Sequence, residues 1–379
     1  MLNVAIIGAG AICPSHVQGY LAFPQRCQIR AVVDIYPEKA EAVIAKFGLA
    51  ARALADYRAI LDDPGIHLVS VCTPPSTHAQ IAIDCLRAGK HVLVEKPMAA
   101  SLAECDEMIR AAAESGKVLS VVAQNRFRTP VMKLKQVLEA GLAGRIVHAQ
   151  VDSHWWRGYM YYDLWWRGTW ESEGGGCTLN HAVHHIDMLL WMLGSPSEVT
   201  AVMANVAHDN AEVEDLSIAV LRYPDRCLAQ ITSSVVHHGE DQQVIFQGER
   251  ARVSMPWKLY ASRPRENGFP IRDEAAEQAM QAFYDQLPDV RYEGHTGQID
   301  DVLTALETGR PVLIDGHAGR RTLELIVSIY KSATLRETVS LPLLPGDPFY
   351  TKEGLLQRAP KFFEKKRTVT GFADNVITT

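Results

Sequence analysis

Residues 4–13 read Val-Ala-Ile-Ile-Gly-Ala-Gly-Ala-Ile-Cys. An unbroken apolar run enters a Gly-x-Gly turn, and Pro14 stands where a helix would begin. A continuous rather than alternating run suits a strand buried on both faces, as in a parallel sheet. Gly8 permits the tight turn, and Gly10 lets the backbone approach a pyrophosphate. The helix that follows offers its N–H groups and dipole to phosphate charge. Cys13 holds the third glycine position and is small enough for close helix–strand packing. Ala9, Ala11 and Ile12 complete the candidate phosphate turn. Asp34 ends the next apolar run. A carboxylate there accepts hydrogen bonds from the adenosine ribose and repels a 2′-phosphate. Ile35, Tyr36 and Pro37 follow, none of them basic. The pattern predicts NAD as cofactor, with NADP less favoured.

Working outward, residues 1–125 repeat this unit. Apolar runs at Val4–Ile7, Ile29–Asp34, Leu68–Cys72, His91–Glu95 and Val118–Val122 alternate with helix signals. Pro37–Phe47 ends at Gly48 and Ser76–Ala88 at Gly89. Ser101 with Glu104 forms a capping box for a helix that stops at Gly116. This predicts an α/β fold opening with a Rossmann domain. After residue 125 the texture changes. Strands are expected at Arg145–Trp156, Glu198–Val206, Leu216–Leu221, Leu228–Val236 and Gln243–Phe246. Helices are expected at Thr178–Leu193, Gly297–Thr308 and Gly316–Ser332. Residues 126–344 thus read as a second α/β domain with a large, mostly antiparallel open sheet. Residues 345–379 read as an extended arm that wraps the domain or reaches a neighbour.

The 379 residues suit about two domains. A net charge of −6 argues against a nucleic-acid partner. No apolar run is long enough to span a membrane, and the apolar start lacks a positive leader, so cytoplasmic residence is expected. The seven cysteines form no CxxC pair, which points to reduced, buried thiols.

Thr73-Pro74-Pro75-Ser76-Thr77-His78 and Glu95-Lys96-Pro97, with the opening glycine turn, resemble the glucose–fructose oxidoreductase/inositol dehydrogenase/MocA family. Gly174-Gly175-Gly176, Asn180, His184 and Asp187 resemble a third family segment. The likeness covers roughly residues 1–344. It implies hydride transfer between a nicotinamide and a carbinol carbon of a sugar, sugar derivative or polyol. It also implies a homodimer or homotetramer built on the large sheet. Thr73, Pro74, Pro75, His78 and Glu95 are implied as cofactor contacts, and Lys96 and His184 as the acid–base pair. Trp166 and Arg167 match a position beside nicotinamide or substrate.

The residues support these roles independently. Lys96 follows a parallel strand at its carboxyl end, where doubly wound sheets bind ligands. Burial beside a cationic ring would lower its pKa and make it a competent base. His184 is placed to pass the alcohol proton. Asn180 stands where many relatives carry Asp; it can orient a hydroxyl but not take its proton. His181 and His185 are not expected to act in catalysis, and the three histidines lack a metal-ligand pattern, so no metal is expected. Five of the seven tryptophans fall in residues 154–170, with Arg157, Asp163 and Arg167 among them. Aromatic faces stack on sugars while Arg and Asp bind hydroxyls, so this stretch reads as the pocket wall. His154, Tyr159 and Tyr162 are further pocket candidates. Arg126 is expected to reach the ligand or form a domain-interface ion pair, and His295 to close the pocket or lie at the surface. A sugar or polyol dehydrogenase is the leading expectation. A redox-neutral glycosidase or lyase using NAD, and a non-catalytic dinucleotide sensor, are the alternatives.

Overall fold

The computed structural model describes residues 1–372; the end of the expected arm, 373–379, lies outside the described residues. The first sheet holds β1 (Leu2–Ile7), β2 (Cys27–Val33), β3 (Arg52–Leu54), β4 (Leu68–Val71), β5 (His91–Val94) and β6 (Leu119–Val121). All neighbours are parallel, in the order β3-β2-β1-β4-β5-β6. Helices α1 (Cys13–Leu21), α2 (Pro37–Phe47), α3 (His78–Arg87) and α4 (Leu102–Ser115) connect the strands. The expected punctuation is present. Ser101 Oγ accepts the Glu104 N–H at 3.2 Å, capping α4. Strands β4 and β6 are buried at every residue, which is why they are apolar except for Ser70 and Ser120, both hydrogen-bonded.

The second half begins with α5 (Thr129–Glu139) and β7 (Ile146–His154). Three helices follow: α6 (Trp170–Glu173), α7 (Cys177–Asn180) and α8 (Val183–Leu193). Then come β8 (Glu198–Ala204), β9 (Leu216–Tyr223), β10 (Cys227–Ser234), β11 (Gln242–Gly248), β12 (Ala251–Met255), β13 (Lys258–Pro264) and β14 (Pro270–Arg272). Helices α9 (Glu274–Gln286), α10 (Gly294–Thr308) and α11 (Gly316–Leu335), strand β15 (Val339–Ser340) and helix α12 (Lys352–Arg358) complete the chain. The sheet order is β14-β13-β12-β11-β7-β10-β9-β8-β15, antiparallel except for the β7–β10 pair. Strand β9 alternates buried and open residues. Ala219 and Leu221 face inward, whereas Ile218 and Val220 stand on the open face.

The segment expected as one helix over 178–193 is two. The break falls at His181 and Ala182, between α7 and α8. The Asn180 amide turns back to the Gly175 and Gly176 carbonyls at 2.9 and 3.2 Å, competing with helical continuation. The chain also returns to its beginning. Ile299, Val302 and Leu303 of α10 share a core with Val4 and Ile6 of β1 and with Val17 of α1. Among the described residues no helix is long and apolar enough to cross a membrane. All seven cysteines are buried, free thiols.

Candidate active site

The cofactor turn lies at the carboxyl end of β1, where the sheet order reverses between β1 and β4. Gly8 has φ +98°, and a Cβ there would meet the Cys72 carbonyl oxygen at 2.6 Å. Only glycine fits. Around a Cβ on Gly10 there is open space to 4 Å, as a pyrophosphate needs. One Asp34 oxygen accepts the Ala9 N–H at 2.8 Å, the other the Tyr36 N–H at 2.9 Å. The carboxylate is thereby fixed beside the turn and stays partly exposed toward a ribose. Ile35 is exposed, and Lys39 rests 4.6 Å over the Tyr36 ring. These residues fit a dinucleotide. The ring nitrogens of His78 face the Thr73 and Pro97 carbonyls at 2.7 and 2.9 Å. His78 therefore clamps the Thr73-Pro74-Pro75 turn to the Glu-Lys-Pro turn.

Lys96 extends from the end of β5 toward α7, its ammonium donating to the Asn180 carbonyl at 3.4 Å. The Asn180 main chain, rather than its amide, thus meets Lys96. Lys96 and His184 line one narrow, largely apolar gap together with Val122, Val183, Asp187, Thr322, Leu323 and Ile326. Burial lowers the Lys96 pKa from the ordinary lysine range; Glu95 opposes the fall and Arg167 adds to it. Burial also holds His184 well below the usual imidazole range, helped by the charges of Lys96 and His185 and opposed by Glu95. Both causes favour the neutral ring of His184.

Glu95 faces into a buried network. It accepts from His16 Nε2 at 2.9 Å, His295 Nε2 at 3.3 Å and the Lys96 N–H at 3.1 Å. His16 Nδ1 meets Ser70 Oγ at 3.2 Å, and Ser70 Oγ pairs with the Tyr20 hydroxyl at 2.7 Å. Burial works to raise the Glu95 pKa, but the His16 and His295 hydrogen bonds outweigh it and hold the carboxyl well below its usual range. His16, Glu95 and His295 have the donor types of a metal site. In this structure they hydrogen-bond to one another through Glu95 Oε1. His295 therefore meets the site through Glu95. His16 was not among the expected site residues, because nothing local marks a histidine on α1.

The aromatic stretch divides. Arg167 lies 4.0 Å from the Trp166 ring and 4.1 Å from the Tyr161 ring, and pairs with buried Glu173 at 2.8 Å. The Tyr161 hydroxyl is 3.4 Å from His181 Nε2. This group is continuous with Asn180 and Lys96. Arg157 pairs with Glu240 at 2.7 Å and lies 5.8 Å from the other side of Tyr161. Tyr162 is buried against His208, with ring centroids 5.0 Å apart. Tyr159 is exposed. His154 stacks on His237 at 4.1 Å, away from the Lys96–His184 pair. Strand alternation explains this: Ser153 and Trp155 face α8 and His181, so His154 faces the other way. Arg126 donates from Nε and Nη2, one edge of its guanidinium, to the two Asp187 oxygens, each at 2.7 Å.

Glu214 shapes the glycine run. Its carboxylate accepts the Gly176 N–H at 2.9 Å, the Thr178 N–H at 3.0 Å and the Tyr330 hydroxyl at 3.0 Å. A Cβ on Gly176 would run into the Glu214 carbonyl, so the run must be glycine here. Burial raises the Glu214 pKa to about 7.

Two family models match the chain: the oxidoreductase family with NAD-binding Rossmann fold over residues 2–123, and the GFO/IDH/MocA C-terminal domain over 131–254. The chain belongs to the Gfo/Idh/MocA family. Its Rossmann half is an NAD-binding domain, and the protein is an oxidoreductase of that family. It is 25% identical to the myo-inositol 2-dehydrogenase of Thermotoga maritima over 91% of this chain and 100% of that one. It is 28% identical to the levoglucosan dehydrogenase of Pseudarthrobacter phenanthrenivorans over 65% of this chain and 70% of that one. Among solved structures, the WlbA dehydrogenase of Bordetella pertussis, in complex with NADH and UDP-GlcNAcA, is 28% identical. The TM-score is 0.77, covering 90% of this chain and 98% of that one.

Proposed function

We propose that this member of the Gfo/Idh/MocA family oxidises a hydroxyl of a monosaccharide, sugar derivative or cyclic polyol, with NAD preferred over NADP. The observation that carries this is the partly buried Lys96–His184 pair at the carboxyl end of β5, both groups displaced toward their neutral forms. The myo-inositol, levoglucosan and nucleotide-sugar substrates in the relatives' names support the substrate class. The fixed Asp34 carboxylate supports NAD.

NAD, when bound on the Gly8–Ile12 turn, supplies the hydride acceptor. Lys96 takes the proton of the substrate hydroxyl, and burial, which disfavours its ammonium, limits how tightly that proton is held. His184, a neutral ring, orients the same hydroxyl and relays its proton. The Asn180 carbonyl fixes the Lys96 amine. Arg167, held by Trp166, Tyr161 and Glu173, presents a rigid cation and an aromatic wall to the sugar. Glu95 acts beneath Lys96 as a counter-charge. We also propose that the open face of the second sheet joins copies of the chain. Val202, Ile218, Val220 and Leu228 stand exposed there on three adjacent strands. Light scattering of the purified protein reads that directly.

Purified protein with NAD or NADP is offered myo-inositol, levoglucosan, UDP-GlcNAcA and simple glycosides while NADH absorbance is followed. NADH formed with one substrate class, and lost in Lys96→Ala with NAD affinity retained, is the expected result. Glycoside cleavage without net NADH would replace the dehydrogenase with a redox-neutral lyase.

A further inference from the structure

We infer that residues 360–369 form a strap that sets the position of the Trp166–Arg167 loop, and that Lys365 is the positioning residue through which it acts. The effect on substrate rests on the function proposed above; the contacts do not. The C-terminal family model stops at residue 254, and the strap lies far beyond it.

From Leu164 to Thr169 the chain forms neither helix nor strand, only a turn closed by the Arg167 N–H on the Leu164 carbonyl at 2.9 Å. The strap supplies partners instead. Lys365 Nζ donates to the Leu164 carbonyl at 2.7 Å and to the Arg167 carbonyl at 2.6 Å. Those carbonyls bracket the Trp165–Trp166 turn, so one ammonium pins both ends. Beside it, the Val369 N–H donates to the Asp163 carbonyl and the Trp165 N–H to the Val369 carbonyl, both at 2.8 Å. Farther back, the Trp170 indole N–H donates to the Pro360 carbonyl at 2.9 Å, and the Phe362 N–H to the Glu212 carbonyl at 3.1 Å. Lys361 with Glu212 and Lys366 with Asp209 form surface pairs, each at 2.8 Å. Exposed pairs of this kind add little. Hydrogen bonds from a charged donor are stronger, which places most of the hold on Lys365.

The loop's inner side explains why this hold matters. The residue whose carbonyl Lys365 grips is Arg167. Its guanidinium stacks on Trp166 and Tyr161 and pairs with Glu173. Its charge is felt at both Lys96 and His181. Releasing the carbonyl removes one of the two holds on the Arg167–Gly168 peptide, whose N–H still donates to Glu173 at 2.6 Å, and so loosens the loop that carries the cation. The nicotinamide turn and Lys96 sit on other elements and stay in place.

The test compares the full chain with Lys365→Met, Lys365→Arg, Lys366→Met and a chain ending at Phe363. Hydrogen exchange in peptides spanning 163–170 is expected to speed up about tenfold in Lys365→Met and in the shortened chain. Lys366→Met should stay at the wild-type rate, and Lys365→Arg should recover most of the protection. With NADH as probe, tryptophan-to-nicotinamide energy transfer should fall in Lys365→Met while NADH affinity holds within about twofold. On whichever of myo-inositol, levoglucosan or UDP-GlcNAcA the wild type oxidises, KM should rise about tenfold with little change in kcat. Wild-type exchange in Lys365→Met, or equal loss in Lys366→Met, would overturn the strap. A wild type that binds no NADH would instead overturn the proposed function, and the exchange data would still decide the strap.

Discussion

Replacing Asp187 with Ala leaves the Arg126 guanidinium buried without a counter-ion. Both side chains are enclosed, with Arg126 4% and Asp187 5% exposed. Two bonds of 2.7 Å join them, Thr322 Oγ1 donates to Asp187 at 3.2 Å, and Arg126 lies 5.1 Å from the Trp191 ring. Breaking a buried pair from one side costs about 3–5 kcal/mol, mostly through the stranded charge. At about 2 °C per kcal/mol for a chain of this size, Asp187→Ala should melt roughly 6–10 °C below wild type in thermal unfolding. Removing both charges is a different perturbation. Arg126→Met combined with Asp187→Leu replaces the pair by apolar bulk, which is commonly neutral within about 1–2 kcal/mol. The double variant should therefore be more stable than Asp187→Ala alone. A drop under about 2 °C for Asp187→Ala would refute the account, as would a double variant less stable than both singles. Arg126 was also expected to reach the ligand. If it acts only as a strut, a folded Arg126→Met/Asp187→Leu enzyme keeps its KM.

Glu95→Gln removes the negative charge nearest Lys96 and should move the acidic limb of the rate–pH profile for oxidation, where Lys96 gains its proton, to lower pH; an unchanged or upward-shifted limb would exclude Glu95 as its counter-charge. Asp34→Ser should weaken NAD about 10–100-fold, the loss of charged hydrogen bonds, and leave NADP affinity unchanged or improved; equal loss for both cofactors would count against the ribose contact. Glu214 has a folded-state pKa of about 7 against an ordinary 4.5, so its contribution to stability is whole below pH 4.5 and is lost as pH rises through 7. The full loss is about 3 kcal/mol, and a stability–pH slope from 5 to 8 that is the same in Glu214→Gln would show that this carboxyl is not its source.

Five of the six strands of the first sheet were legible because burial on both faces favours short, mostly apolar runs such as Leu68–Val71, whereas the half-exposed β3 (Arg52–Leu54) was not read. The glycine turn, Asp34 and the helix stops follow from local chemistry and appear where expected. The far edge of the second sheet was not read. Strand β13 is mostly exposed, so Lys258–Pro264 carries no alternating core face to detect. Helix α9 does carry a signal, since Asp273 caps it by accepting the Ala276 N–H at 3.1 Å. Within the site, Lys96, His184, Trp166 and Arg167 were readable from motifs. The Glu95 network was not, because His16 and His295 stand 79 and 200 residues from Glu95 in sequence. No local pattern encodes such a meeting. The same holds for Lys365, which reaches the Leu164 carbonyl across 201 residues.

The return of α10 to the first sheet has a consequence for biosynthesis. Ile299, Val302 and Leu303 complete the core around Val4, Ile6 and Val17. A ribosome that has released only the first third of the chain has delivered a sheet whose α1 flank still lacks the cover of α10. At about 5–20 residues per second, that flank waits on the order of ten seconds or more for its cover. During that interval the nascent segment presents apolar surface to chaperones and to neighbouring chains. Expression of residues 1–125 alone should accordingly give aggregates, and adding residues 294–308 as a separate peptide should raise the soluble yield.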